Sequence, residues 1–215
     1  MKKVLITGFD PFGDDSVNPA LEAVKKLAGI VTEKYEVQVR EIPTVFNKSL
    51  KYLEKAILQI QPDIVICVGQ AGGRSDITVE RIAINVNDAR IPDNEGNQPV
   101  DTPVVEGGPV AYWSTLPIKA MVKEMRDKGI PASVSQTAGT FVCNHLFYGL
   151  MHQLAQLNDP PIGGFIHIPY LPEQAVKHPG KPSMDLETIV KGLRTAIEAA
   201  VVYQKDIITL EGQIS

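Results

Sequence analysis

Two side chains in this 215-residue chain could do covalent chemistry together: the thiol of Cys143 and the imidazole of His167. Cys143 lies in Ser135-Gln136-Thr137-Ala138-Gly139-Thr140-Phe141-Val142-Cys143-Asn144-His145, where small, turn-prone residues give way to Leu146, Leu150 and Leu154 at helical spacing. That pattern predicts a strand, a turn and a helix with Cys143 in its first turn. Unpaired backbone N–H groups and the helix dipole favour a thiolate there, so the spacing predicts a lowered thiol pKa. Outside such a setting a free cysteine is more commonly an inert buried hydrophobe. His167 interrupts the apolar run Gly163-Gly164-Phe165-Ile166-His167-Ile168 and sits near the end of a predicted strand stopped by Pro169. A thiol and an imidazole without a metal-ligand cluster point to nucleophile and general base. Such a pair needs a third group to orient the imidazole, and spacing leaves Glu80, Asp76, Asp88 and Asp93 all open.

The elements that must position these residues follow from periodicity. Residues 3–7 read as a strand, 8–13 as a loop, and Asn18-Pro19 as an N-cap with proline in the first helical position, opening a helix to about Leu27. Residues 35–42 alternate as a strand. Leu50, Leu53, Ile57 and Ile60 then mark an amphipathic helix within 46–60. Residues 63–69 are apolar without alternation, as in a strand covered on both faces, which places Cys67 in the core. A further strand is predicted over Ile82, Ala83, Ile84 and Val86, with Glu80 at its edge. Residues 88–117 form a long excursion rich in Pro, Gly, Asp and Asn, of the kind used for function or assembly. Then come a helix after Pro117, short strands at 132–135 and 165–168, a loop through Pro182 and a helix over 186–202. Strands alternating with helices imply a single-domain three-layer α/β/α sandwich with a mixed, largely parallel sheet, phosphorylase- or hydrolase-like, spanning residues 1–215.

Composition excludes several classes. Hydrophobic residues are 44% and charged residues 21%, ordinary for a globular chain. A net charge of −4 with scattered Lys and Arg offers no basic surface for nucleic acid. No apolar run approaches the roughly 20 residues that span a bilayer, and the short run at 4–6 is too small for a secretory signal core. Two cysteines without CxxC spacing fit a reducing, cytoplasmic setting. The four histidines form no ligand pattern with the carboxylates, so no metal or cofactor is expected. The turn Gly69-Gln70-Ala71-Gly72-Gly73-Arg74 could be taken for a phosphate loop, but it lacks GK[ST].

Six segments carry a resemblance: Gly8-Phe9-Asp10-Pro11-Phe12, Gly69-Gln70-Ala71-Gly72-Gly73-Arg74, Glu80-Arg81, Ala89-Arg90-Ile91-Pro92-Asp93-Asn94, Ala138-Gly139-Thr140-Phe141-Val142-Cys143-Asn144 and Phe165-Ile166-His167-Ile168-Pro169-Tyr170. In order, over residues 3 to about 200, they resemble the pyroglutamyl-peptidase I, or pyrrolidone-carboxyl peptidase, family. The resemblance implies a cysteine peptidase that removes N-terminal pyroglutamyl residues from peptides through a thioester. It maps the family's glutamate, cysteine and histidine onto Glu80, Cys143 and His167, and an arginine near the site, a possible oxyanion donor, onto Arg90. Phe9, Phe12, Thr44, Ile91, Phe141 and Val142 resemble ring-contacting residues, and Gln70 offers backbone hydrogen bonds to the lactam. The family also suggests a homotetramer. Residues 203–215 are the least family-like and receive no role. Two other readings stay in view: a nucleoside-phosphorylase-like enzyme, which needs no thiol at 143, and a binding or redox-sensing protein that uses Cys143 without turnover.

Overall fold

The computed structural model describes residues 1–13 and 15–212. In chain order the elements are β1 (Lys2–Phe9), α1 (Pro19–Lys25), β2 (Tyr35–Ile42), α2 (Lys48–Ile60), β3 (Ile64–Gln70), β4 (Ile77–Glu80), β5 (Ile82–Ile84) and β6 (Ala111–Trp113). There follow α3 (Ile118–Asp127), β7 (Ala132–Ser135), α4 (Val142–Leu154), β8 (Ile162–Ile168), α5 (Pro172–Ala175) and α6 (Leu186–Val202). The main sheet has the order β2-β1-β3-β8-β4-β7 and is parallel except where β4 meets β8.

Strand alternation divides the interior. Val4, Ile6, Ile66, Val68, Ile166 and Ile168 pack under α1, α3 and α6, while Leu5, Phe9, Val65, Cys67 and Phe165 pack under α2 and α4. Both faces are covered, which is why β3 reads as an apolar run without alternation. By the same alternation His167, two residues after Phe165, falls on the α4 face.

Local signals act as their chemistry requires. The Asn18 side chain accepts from Ala20 N–H and Pro19 opens α1. The helix predicted from Phe46 begins at Lys48, because Asn47 takes a positive φ of 58°. The strand predicted over 82–86 is β5, which ends at Ile84 and pairs antiparallel with β6 inside the excursion, and a separate strand that the sequence reading lacked, β4, precedes it in the main sheet. The break falls at Arg81, whose N–H donates to Ser135 O and whose carbonyl accepts from Ser114 N–H. Glu80 is therefore the buried last residue of β4 and not a strand-edge charge.

The segment after α6 is tied down. The Asp206 carboxylate accepts from Lys119 and Ala120 N–H at the start of α3 at 2.9–3.1 Å, and Glu211 pairs with Arg126 at 2.7 Å. Residues 213–215 lie outside the described residues.

Candidate active site

Ligands of open α/β sheets gather beyond the carboxyl ends of strands where neighbouring strands diverge. Here β1 is flanked by β2 and β3, and a cavity of about 340 Å³ opens beside it. Phe9 from the end of β1, Gln70 from the end of β3, His167 from β8 and Cys143 from α4 all line it.

Each side chain arrives for a local reason. Cys143 is the second residue of α4, and the Phe141 cap makes no side-chain hydrogen bond, so the first-turn N–H groups have no intrahelical partners. Its thiol needs the glycine at 69: a Cβ there would stand 2.9 Å from Cys143 Sγ and 2.8 Å from Phe165 Cζ. His167 pairs across the sheet with Gly69 on β3 and with Thr78 on β4. The antiparallel step puts Glu80 diagonally beside the imidazole, with Oε1 2.7 Å from Nδ1. Of the four carboxylates that spacing left open, Glu80 is the one in contact with His167. Asp93 is occupied elsewhere, accepting from the N–H groups of Phe46, Glu95 and Asn97.

The electrostatics differ from the sequence expectation at the thiol. Burial and then the negative charge of Glu80 push the Cys143 thiol up to about 12, with Arg74 acting the other way, so the lowered value expected from the helix terminus does not hold in this arrangement. Burial pulls the His167 imidazole below its ordinary value despite the pull of Glu80. Burial raises the Glu80 carboxyl, but the hydrogen bond from His167, with the charges of His167 and Arg74, holds it below the usual range. At rest the set is a neutral thiol, a neutral imidazole with Nδ1–H directed at an ionised carboxylate, and a nearby guanidinium.

Of the apolar residues singled out in the sequence, Phe9, Phe12, Phe141 and Val142 line the cavity, as do Thr44 and Gln70. Phe141 packs against Phe12 at 6.3 Å and edge-on against Phe46 at 5.4 Å between ring centroids. The loop carrying Phe12 is fixed through Asp10, whose carboxylate accepts from Thr44 N–H and Asn94 Nδ2. Arg90 and Ile91 lie apart: both are exposed and neither lines the cavity. The anchored residues of that segment are Ala89, buried and bonded through its N–H to Pro99 O, and the buried Asp93. The cation at the cavity is Arg74, which sequence reasoning quoted in the glycine-rich turn without assigning it a role. Gly69 and His145 were missed as well. His145 accepts from Asn47 N–H and meets Asn87 Oδ1, each at 2.9 Å, tying two loops to the helix of Cys143.

The family model described as pyroglutamyl peptidase matches residues 2–203. The chain belongs to the pyroglutamyl peptidase family. It is 65% identical over 215 residues, covering all of both chains, to a pyrrolidone-carboxylate peptidase of Brevibacillus brevis. A pyrrolidone-carboxylate peptidase of Bacillus cytotoxicus is 61% identical over 212 residues, 99% of each chain. The crystal structure of pyroglutamyl peptidase I from Bacillus amyloliquefaciens superposes with a TM-score of 0.95 at 57% identity, covering 97% of this chain and 99% of that one. The pyroglutamyl peptidase fold extends to a mutant pyrrolidone carboxyl peptidase from Pyrococcus furiosus, with a TM-score of 0.89 at 47% identity over 93% and 98% of the two chains.

Proposed function

We propose that Cys143, His167 and Glu80 are nucleophile, general base and orienting carboxylate of a peptidase acting on N-terminal pyroglutamyl residues. The chain is a cysteine peptidase of the pyroglutamyl peptidase family. The observation that carries the assignment is the 2.7 Å contact of His167 Nδ1 with Glu80 Oε1 beside the cavity that Cys143 also lines. With Nδ1–H given to Glu80, Nε2 is free to take the thiol proton as sulfur attacks the pyroglutamyl carbonyl. A neutral resting pair means that the proton moves during attack. The tetrahedral oxyanion forms at the uncapped start of α4, where the Cys143 N–H is a donor. Collapse breaks the peptide C–N bond, and the imidazolium returns its proton to the departing amine. Water, deprotonated by His167, then cleaves the thioester and restores the thiol.

The lactam is small and neutral where an ordinary peptide begins with an ammonium group. Phe9, Phe12, Phe141 and Val142 supply apolar walls, Thr44 and the Gln70 backbone the polar edge. A free N-terminal ammonium would be desolvated there without a partner, which discriminates by penalty. We propose further that the chain works in the cytoplasm as a homotetramer. No described helix is long and apolar enough to cross a membrane, and Val110 and Trp113 at the β6 ribbon are exposed apolar surface fit for subunit contact.

Release of fluorophore from pyroglutamyl-aminomethylcoumarin tests the reading. Pyroglutamyl substrate is expected to exceed its glutaminyl and prolyl counterparts by at least about a hundredfold in kcat/KM. Equal cleavage of the free-amine substrates would refute the pocket assignment.

A further inference from the structure

We infer that Arg74 is a positioning residue of this site: its guanidinium holds the Glu80 carboxylate in register with His167 and locks it to the turn that delivers Cys143. The inference rests on the reading of Cys143, His167 and Glu80 as the reacting set. Arg74 Nη1 donates to Glu80 Oε1 at 2.6 Å and also to Thr78 Oγ1. Nη2 donates to Thr137 O at 2.9 Å, in the turn six residues before Cys143. One planar fork thus spans β4 and the approach to α4, a geometry that an ammonium cannot reproduce.

Glu80 depends on this fork. Its side chain is fully buried, and Oε1 takes both the Arg74 and the His167 bonds, while Oε2 has no hydrogen-bond partner among the described residues. Without Arg74 the buried carboxylate would keep one donor, and ionisation in that setting would be penalised. The glycine-rich turn accounts for the arginine's placement. Ala71 O accepts from Arg74 N–H, and Gly73 at φ +100° occupies a conformation that L side chains rarely adopt. The turn thereby presents the guanidinium to the cavity.

The charged and titratable groups around His167 are Glu80 from β4, Arg74 from the turn and Cys143 from α4, with Cys67 on β3 acting weakly on Cys143. Removing the Arg74 charge lets the imidazole pKa rise, and Glu80 becomes easier to protonate. Both changes move the acid limb of activity to higher pH. The thiol also loses a group that eases its ionisation.

The experiment compares wild type, Arg74→Met and Arg74→Lys on pyroglutamyl-aminomethylcoumarin across pH. In parallel it follows the pH dependence of iodoacetamide labelling at Cys143, with a thermal melt to establish folding. Arg74→Met should lower kcat by about tenfold, the scale of one lost charged hydrogen bond, with KM within about twofold of wild type. Its acid limb should rise by about one pH unit and its labelling should need more alkaline pH. Arg74→Lys should keep the wild-type acid limb and still lose part of kcat, because the charge returns without the fork. A wild-type acid limb and labelling profile in Arg74→Met would overturn the inference whatever its kcat. If Arg74→Met does not fold, wild-type kcat in Arg74→Lys overturns it. Absence of turnover in the wild type would instead overturn the assigned activity, and the labelling profiles would still decide the role of Arg74.

Discussion

The two thiols lie on the same side of the main sheet, packed toward α2 and α4, yet they occupy different chemical settings. Cys67 is fully buried on β3 and Cys143 partly buried at the start of α4. Burial pushes both up to about 12. Resting acidity therefore does not tell nucleophile from core residue. Their neighbours do: Cys67 is enclosed in the apolar layer between the sheet and α2 and α4, whereas Cys143 feels Glu80 and Arg74 and shares a cavity with His167. On the proposed assignment, Cys143 becomes a nucleophile through access to substrate and a base that can take its proton during attack.

The largest expected effect comes from exchanging sulfur for oxygen at the two positions. Cys143→Ser should lower kcat/KM by at least about a thousandfold, since a hydroxyl is a far weaker nucleophile in a site built for sulfur. Cys67→Ser should keep its kcat and lose about 1–3 kcal/mol of stability by burying a poorly matched hydroxyl, read from denaturant melts. Comparable loss of turnover in both variants would erase the distinction.

Next in size is the carboxylate. Glu80→Gln should lower kcat at least about a hundredfold with KM little changed, because a neutral amide holds Nδ1–H more weakly and carries no charge to support the imidazolium. The wild-type acid limb should lie below 6.5, the ordinary histidine value, since burial depresses His167. Losing the negative charge should move that limb lower still, opposite in sign to Arg74→Met. Wild-type kcat in Glu80→Gln would pass the orienting role to another group.

Gly69→Ala tests the space between the two thiol environments. A Cβ 2.9 Å from Cys143 Sγ and 2.8 Å from Phe165 must displace one of them. We expect about a tenfold loss in kcat and 1–3 kcal/mol of destabilisation, the latter reduced in a Cys143→Ala background, where the clash with sulfur is gone, as read from melts. Wild-type activity would show that the thiol has room to spare.

The smallest effect concerns how the Cys143 helix is held. His145 is buried neutral, and burial lowers it from 6.5 to about 4. As pH falls through that window the unfolded chain takes up the proton first, so stability falls with falling pH. His145→Gln should flatten that slope between about pH 6.5 and 4 in melts, and an unchanged slope would remove His145 as its source.

Much of the scaffold was legible because its signals are local. The apolar run of β3, the periodicity of α2 and α6, the Asn18-Pro19 cap and the position of Cys143 in the first turn of α4 all follow from neighbours in sequence. The break at Arg81 was not, since it depends on hydrogen bonds to Ser135 and Ser114, and β6 disappeared into a turn-rich segment. At the site, residue types and family resemblance pointed to the nucleophile, the imidazole and the carboxylate. The choice of Glu80 over Asp93 becomes physical only through antiparallel pairing of β4 with β8. Arg74 and Gly69 could have been found by asking what a glycine-rich turn after a buried strand presents to the neighbouring thiol. The direction of the thiol pKa was illegible, because the helix terminus is a local feature and burial beside Glu80 a tertiary one.

Site-resolved alkylation tests the central claim most directly. Under native conditions iodoacetamide should inactivate the enzyme with one equivalent incorporated at Cys143, and residual activity should track the unlabelled fraction while Cys67 stays unmodified. Full labelling of Cys143 with activity retained, or inactivation that follows Cys67, would contradict the account.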